Sequence, residues 1–582
     1  MRATHVSRLL RAASILAAAA CSGHAFVPRT PGAALPAREP RAQAPVDTRH
    51  EITFDAATDG LPADDLAIEA RFTTPSGTVV EVGGFASRGH FKVRYTPREP
   101  GLHTWTIRAG EGRSLVGRGE LEAVPGRRLG FVTIDPRARH RLVADDGTTR
   151  FVLGENRFDV YDPRSNHESA DIRSYVERMA AYGMSTIRVF IVAGCATEPG
   201  TTRSRIGCLE PAPGRFDERT AEAIDTLFDA AESANVDVVL VAFALGFSSD
   251  PDGRRSWDDN PYSAARGGPA RSPRDFFRAP ALRARAIRKI RYIADRWASS
   301  PRLLAVDLLD EPERDGAIAE QLWIPWAEEM SRAWRASDPY AHLVTAGPVG
   351  LHWNVEQDDG PWYASAANDL IQWHLDGQEV HDAHALADAM SHKVAETWEN
   401  DKPVFCGQFA YGGEDSGTYD HTHVGLWSLA MSGAGALARS APPRDVEWDE
   451  PMTAARARHF KVLSAFLRSL DPTRAYSTRN DVRVLAPSGA RAWSIATEDK
   501  SDRALWLLAP KERYHERTIA DARLAITAPR AGRYRVTWLD DTTGERLSST
   551  GDGEQVIATD DDLLFLTVPP FARHVAARIT HE

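Results

Sequence analysis

The run Leu308-Leu309-Asp310-Glu311-Pro312 ends an apolar segment on two adjacent carboxylates and a proline. A carboxyl group at the end of a buried strand, its backbone fixed by a following proline, is placed to give and take protons in general acid–base chemistry. Aromatic residues close other apolar runs: Trp353, Trp373 next to His374, and Tyr411 shortly after Gln408. Aromatic faces stack on the apolar faces of sugar rings while polar neighbours fix their orientation. Trp297 and Trp427 fall inside helical patterns and read as core. Cys195 and Cys208 lie 13 residues apart in a polar segment without a nearby His or second Cys pair. That pattern points to a disulfide stapling one loop, worth about 3 kcal/mol, rather than to a metal. Cys406 sits in an apolar run and reads as a buried bystander. His421 and His423 open a helix with no third ligand in sequence, so no metal site and no cofactor is expected.

Chemistry of this kind needs a scaffold that brings distant strand ends together. Between Phe151 and about Leu470, apolar runs at 151–155, 186–192, 236–243, 303–309, 342–346, 369–374, 403–409 and 435–438 alternate with amphipathic segments such as 171–182, 221–234, 281–298 and 317–336. Eight strand-then-helix units predict a closed (β/α)8 TIM barrel over 130–472, with its site at the strands' carboxyl ends. An open doubly wound sheet is the competing architecture, weakened by the lack of a G-x-G-x-x-G after the first strand. Period-2 alternation over 47–126 and again over 478–582 predicts a β-sandwich on either side of the barrel.

Several of these segments together resemble the cellulase-like, family-five glycoside hydrolases. L-L-D-E-P resembles their strand-four signature, which maps the catalytic acid/base onto Glu311. K-P-V-F-C-G-Q-F-A-Y-G-G (402–413) resembles their strand-seven segment and puts Gln408 at the nucleophile position. F-V-L-G-E-N-R-F (151–158) and Y-G-M-S-T-I-R-V-F (182–190) resemble strands one and two, with Arg188 matching an arginine beside the nucleophile. D-L-I-Q-W-H (369–374) resembles strand six and brings His374 to the site. The N-terminal strands are similar to the immunoglobulin-like domain that often precedes such barrels. The resemblance implies a retaining glycosidase, which uses two carboxylates about 5–5.5 Å apart. The chain departs from that pattern at three places. Gln408 replaces the nucleophilic Glu, Asp310 replaces an Asn, and Ala438-Arg439-Ser440 lacks the Trp that floors a sugar subsite. Asp310, Glu414 and Asp415 are the carboxylates that could substitute for the missing one.

The remaining features concern location. Arg2, Arg8 and Arg11 precede the short apolar run Ala12–Ala20, the pattern of a signal peptide over 1–25. Cys21 offers lipidation as an alternative to cleavage near Ala25, and the Pro/Ala-rich stretch 26–46 reads as a disordered tether. A net charge of −11, from 70 basic and 81 acidic residues without a basic stripe, argues against a nucleic-acid partner. No apolar run reaches the roughly 20 residues of a membrane span. The sequence therefore predicts an exported protein, secreted, periplasmic or surface-held, acting on the O-glycosidic bonds of a polysaccharide or oligosaccharide. Its alternative is a non-catalytic, carbohydrate-binding relative.

Overall fold

The computed structural model describes residues 25–27, 41–58, 65–126, 130–157, 169–191, 208–243, 257–312, 318–348, 359–377, 382–411, 419–439, 452–479, 481–527, 531–548, 554–559 and 562–582. At its centre are eight parallel strands: β1 (Leu153–Arg157), β2 (Thr186–Phe190), β3 (Asp237–Val241), β4 (Leu303–Asp310), β5 (Leu343–Gly347), β6 (Ile371–Gly377), β7 (Val404–Tyr411) and β8 (Gly435–Arg439). They run in the order β5-β4-β3-β2-β1-β8-β7-β6. Asp369 N–H donating to Val344 O at 2.8 Å joins β6 to β5 and closes the ring. The open-sheet alternative is thereby set aside.

Each strand is followed by a helix: α1 (Ser169–Ala181), α2 (Glu218–Ala234), α3 (Pro280–Trp297), α4 (Glu320–Ser337), the short α5 (Gly360–Ala364), α6 (Ala383–Thr397), α7 (Asp420–Met431) and α8 (Ala454–Arg468). Local signals set their ends. Asp217 caps α2 by accepting from Thr220 N–H, and Asn235 ends it in the left-handed conformation. Pro280 stands at the start of α3, where its missing N–H costs nothing. Inside the ring, Val152, Val239, Leu304, Leu343, Leu370, Phe405 and Leu437 form a separate apolar plug. Val132 and Leu142, from the antiparallel pair Val132–Ile134 and Leu142–Ala144, seal it at the strands' amino ends. The polar residues of the barrel interior are thus confined to the other end. Among the described residues no helix is long and apolar enough to cross a membrane.

The N-terminal strands form one continuous path that folds over at a corner. Strand Val79–Ser87 pairs with Ile68–Thr73 through residues up to Gly83, and with His90–Tyr95 from Gly84 onward. The two halves face each other with Phe72 stacked on Tyr95, ring centroids 3.9 Å apart. This path begins earlier than the sequence suggests. Ala42–Pro45 pairs with Ser114–Val124, and Ala25–Val27 pairs with His50–Phe54. Parts of the stretch read as a signal end and a tether are therefore strand. At the other end, a seven-stranded and a three-stranded sheet fill residues from Ser477 onward. The weak strands Ser477–Thr478, Arg546–Leu547 and Glu554–Thr559 have no counterpart in the sequence reading.

Candidate active site

Alternation along the strands decides which side chains enter the barrel. On β1 Asn156 points inward, while Glu155 points out and accepts from Tyr175 of α1. On β6 Gln372 and His374 are inward, since Gln372 Nε2 donates to Asp307 Oδ2 at 2.7 Å and His374 Nδ1 lies 2.9 Å from Glu311 Oε1. Trp373, between them, must face the helices, and it is fully buried in the outer core. Its expected role under a sugar is corrected on that ground. Trp353 and Cys195 lie outside the described residues, as do Glu414, Asp415, Ser440, Cys21 and the side chain of Tyr411. Cys208 is buried and disulfide-bonded, and Cys406 is a buried free thiol whose Sγ contacts Gln408 O at 3.2 Å.

Arg188 organises the interior. Its guanidinium donates to Asp307 Oδ2 at 2.6 and 2.9 Å, to Asp310 Oδ1 at 2.5 Å and to Asn156 Oδ1 at 2.9 Å. Asn156 Nδ2 in turn donates to Gln408 Oε1 at 2.6 Å. Arg188 therefore reaches position 408 through Asn156 rather than by sitting beside it. Sequence reasoning did not single out Asn156, Asp307 or Gln372. Their signal was polarity at inward positions of otherwise apolar strands. The packing leaves little free space opposite Gln372. A Cβ at Gly347 would stand 2.2 Å from Gln372 Nε2, and one at Gly407 2.4 Å from Gln372 Oε1.

Glu311 and Gln408 are related through His374. Gln408 is level with His374 in the β6–β7 register, and His374 holds Glu311. Glu311 itself has φ 44°, a left-handed conformation that costs a residue with a Cβ about 1–2 kcal/mol. Its N–H donates to Gly347 O at 2.8 Å, which anchors the turn. Asp310, Glu311, His374 and Gln408 are all buried. Burial raises the Asp310 carboxyl to about 6, opposed by Arg188 and reinforced by the neighbouring Glu311. The arrangement offers a carboxyl acid paired to an imidazole, a cation with two carboxylates, and an amide.

A second polar cluster lies away from the mouth. His423 of α7 meets Asp541 and His574 of the C-terminal sheets, with His423 Nε2 3.1 Å from Asp541 Oδ2 and His574 Nδ1 2.6 Å from Asp541 Oδ1. The sequence reading found no third partner for His423 because these two lie more than a hundred residues downstream. The three residues are of metal-ligand type. Their geometry fits a hydrogen-bonded clasp better. The two rings stack 3.9 Å apart and 20° from parallel, so their in-plane lone pairs run side by side instead of converging on one ion. Trp506 Nε1 also donates to Asp541 Oδ2 at 2.6 Å.

With this geometry in view, similarity to known proteins becomes informative. Over 93% of its length the chain superposes on all of a "putative glycoside hydrolase" from Bacteroides vulgatus, with TM-score 0.63 and 13% identity. A family 5 glycoside hydrolase of the same organism matches 78% of the chain and 93% of its own, with TM-score 0.52 and 11% identity. The chain has the fold of the cellulase-like, family-five glycoside hydrolases. In sequence, mannan endo-1,4-beta-mannosidase F of Aspergillus clavatus is 23% identical over 221 residues, 37% of this chain and 46% of that enzyme. The chain spans about a quarter to a half of the length of such curated mannosidases, 36% in an Arabidopsis thaliana case. Residues 48–110 match a domain of unknown function, DUF5060.

Proposed function

We propose that this protein is an exported glycoside hydrolase-like barrel that engages a β-linked polysaccharide, mannan first, and in which retaining hydrolysis is strongly reduced. The observation that carries this reading is Gln408, buried opposite the Glu311–His374 pair and hydrogen-bonded through Oε1 to Asn156. Glu311 retains the position of a proton donor to a glycosidic oxygen, with His374 orienting it. The amide of Gln408 can hydrogen-bond a sugar hydroxyl but cannot serve as the displacing carboxylate. Mannan is favoured because the curated relatives are mannan endo-1,4-beta-mannosidases. The immunoglobulin-like N-terminal strands, the C-terminal sandwich and a Cys195–Cys208 staple complete the proposal as accessory features.

A second reading, hydrolysis with inversion, is supported by one specific observation. Asp310 Oδ1 stands 3.9 Å from His374 Nε2, beside the other nitrogen of the ring that holds Glu311, and burial raises its carboxyl to about 6. It would activate water where Gln408 cannot attack. A binding and sugar-release panel on the purified protein, with the anomer of any product read by NMR, separates the two. Binding of mannan oligosaccharides with slow or no release supports the first reading, and rapid release of inverted product supports the second. Absence of binding to every neutral β-glycan would overturn both.

A further inference from the structure

A groove of about 930 Å³ runs along the outside of the barrel, between α8 and the strand Gly532–Leu539 with the turn that follows it. It is lined from Ala454 to Ser469, which at 1.5 Å per helical residue is about 22 Å of length. Five cations line it: Arg458 and Lys461 from the helix, and Arg535, Arg546 and Arg578 from the sheet. Among the described residues no carboxylate lines it. That is unexpected in a chain with 81 acidic and 70 basic side chains, where a random wall would mix signs.

The three sheet cations are already engaged, Arg535 with Glu582 at 2.6 Å, Arg578 with Asp502 at 2.8 Å, and Arg546 as well. Arg458 and Lys461 are exposed and have no ion-pair partner among the described residues. The floor between the charged walls is apolar, with Phe466 and Leu539, and Tyr182 stands at one end. Tyr182 belongs to the connection from α1 to β2, at the strands' amino ends. Asp310 and Glu311 lie at the opposite end of the barrel, and the groove shares no residue with that site. Cations spread along two walls over an aromatic and apolar floor suit an extended polymer with regularly spaced anions and apolar ring faces. A compact phosphate would call for guanidinium groups converging on one point instead.

We propose that this groove binds a run of an acidic, uronate-bearing polysaccharide and holds it against the flank of the barrel. The inference rests on the reading of the protein as polysaccharide-directed, and it adds a second, charge-selective surface to the neutral subsites of the mouth. Uronate carboxylates pair with the exposed Arg458 and Lys461, within the added positive field of the sheet arginines, while a ring face lies on the half-buried Tyr182.

The test uses the full-length protein and polygalacturonate as probe, read by affinity electrophoresis and calorimetry, with a neutral mannan and duplex DNA as controls. The natural protein should bind polygalacturonate with an affinity that falls as salt rises. A double variant, Arg458→Ser with Lys461→Ser, should bind it roughly fivefold to tenfold more weakly, the loss of two exposed charge pairs. Both positions are on the helix surface, so an unchanged melting curve verifies the fold. Neutral mannan binding should be the same in both proteins. Failure to bind polygalacturonate, equal binding by the double variant, or DNA binding of equal strength would overturn the proposal. Loss of neutral mannan binding alone would instead count against the function assigned to the mouth.

Discussion

At the seam between the N-terminal strands and the barrel, Asp225 of α2 receives Arg94 at 2.7 Å, Arg296 at 2.8 Å and Trp297 Nε1 at 2.8 Å. At the barrel mouth the ratio is reversed, since Arg188 serves both Asp307 and Asp310. Asp225 is half-buried and Asp310 buried, yet the two acids are left in opposite states. Burial at the seam is outweighed by two guanidinium groups, and Asp225 is held well below the ordinary carboxylate range. At the mouth one guanidinium is divided and Glu311 adds repulsion, so Asp310 stays raised, at about 6. Phe85 shows the structural character of the seam, with Arg94 and Arg296 each 4.8 Å from its ring. Two guanidinium groups on one carboxylate, themselves backed by Glu51 and Glu218, give a joint that stays charged and fixed. An excess of carboxylates gives a group that can exchange a proton near neutrality, which is what a reacting site requires.

The sharpest way to break this contrast is Asp225→Asn. Arg94 and Arg296 each lose a carboxylate partner, while Glu51 and Glu218 remain beside them, and the transition that includes the seam should be destabilised by about 2–3 kcal/mol in urea denaturation. Because the folded pKa of Asp225 is depressed, its contribution is full above its unfolded pKa of about 3.9 and is lost as pH falls below that. The gap between natural protein and variant should therefore close in acid. A loss under about 1 kcal/mol at pH 7 would mean the seam is no stronger than a surface pair.

A smaller effect is expected at the clasp of His423, Asp541 and His574. There His574 is raised to about 9, with burial opposed and exceeded by Asp541 and by Asp420. A raised histidine contributes stability that is full below its unfolded pKa of about 6.5 and lost as pH rises through the folded value. The melting temperature should fall by several degrees between pH 7 and 10, and His574→Gln should abolish most of that slope. A slope unchanged by the variant would remove the clasp from the account.

The smallest stability change belongs to Asp310→Asn. A raised carboxyl favours the fold only when protonated, so it makes stability decline as pH rises from about 4 through 6. The variant should flatten that decline and shift stability at pH 7 by less than about 1 kcal/mol, since Arg188 keeps Asp307. A loss as large as that of Asp225→Asn would show that the mouth and the seam are built alike.

Much of this was legible in the chain. All eight barrel strands overlap their expected segments, because buried parallel strands are continuous apolar runs whose ends Gly and polar residues mark. Glu311, Gln408, His374 and Arg188 were singled out through strand-end motifs; His374 holds Glu311, and Arg188 reaches Gln408 through Asn156. What stayed hidden depends on register or on distant pairing. Trp373 looked like a sugar platform because a strand motif does not say which face is inward. Asn156, Asp307 and Gln372 carry the mouth's hydrogen bonds but look like ordinary polar interruptions until the register is known. The clasp joins His423 to Asp541 across 118 residues, beyond any local pattern.

The account turns on position 408, and the most direct test compares sugar release from mannan by the natural protein and by Gln408→Glu. The structure should accept the substitution locally, since Asn156 Nδ2 can donate to a carboxylate oxygen as it does to the amide's. The predicted result is release increased by at least about a hundredfold in the Glu variant, with retained anomeric configuration, from a natural protein that binds but scarcely cleaves. Fast, retaining release by the natural protein, with no gain from Gln408→Glu, would contradict it.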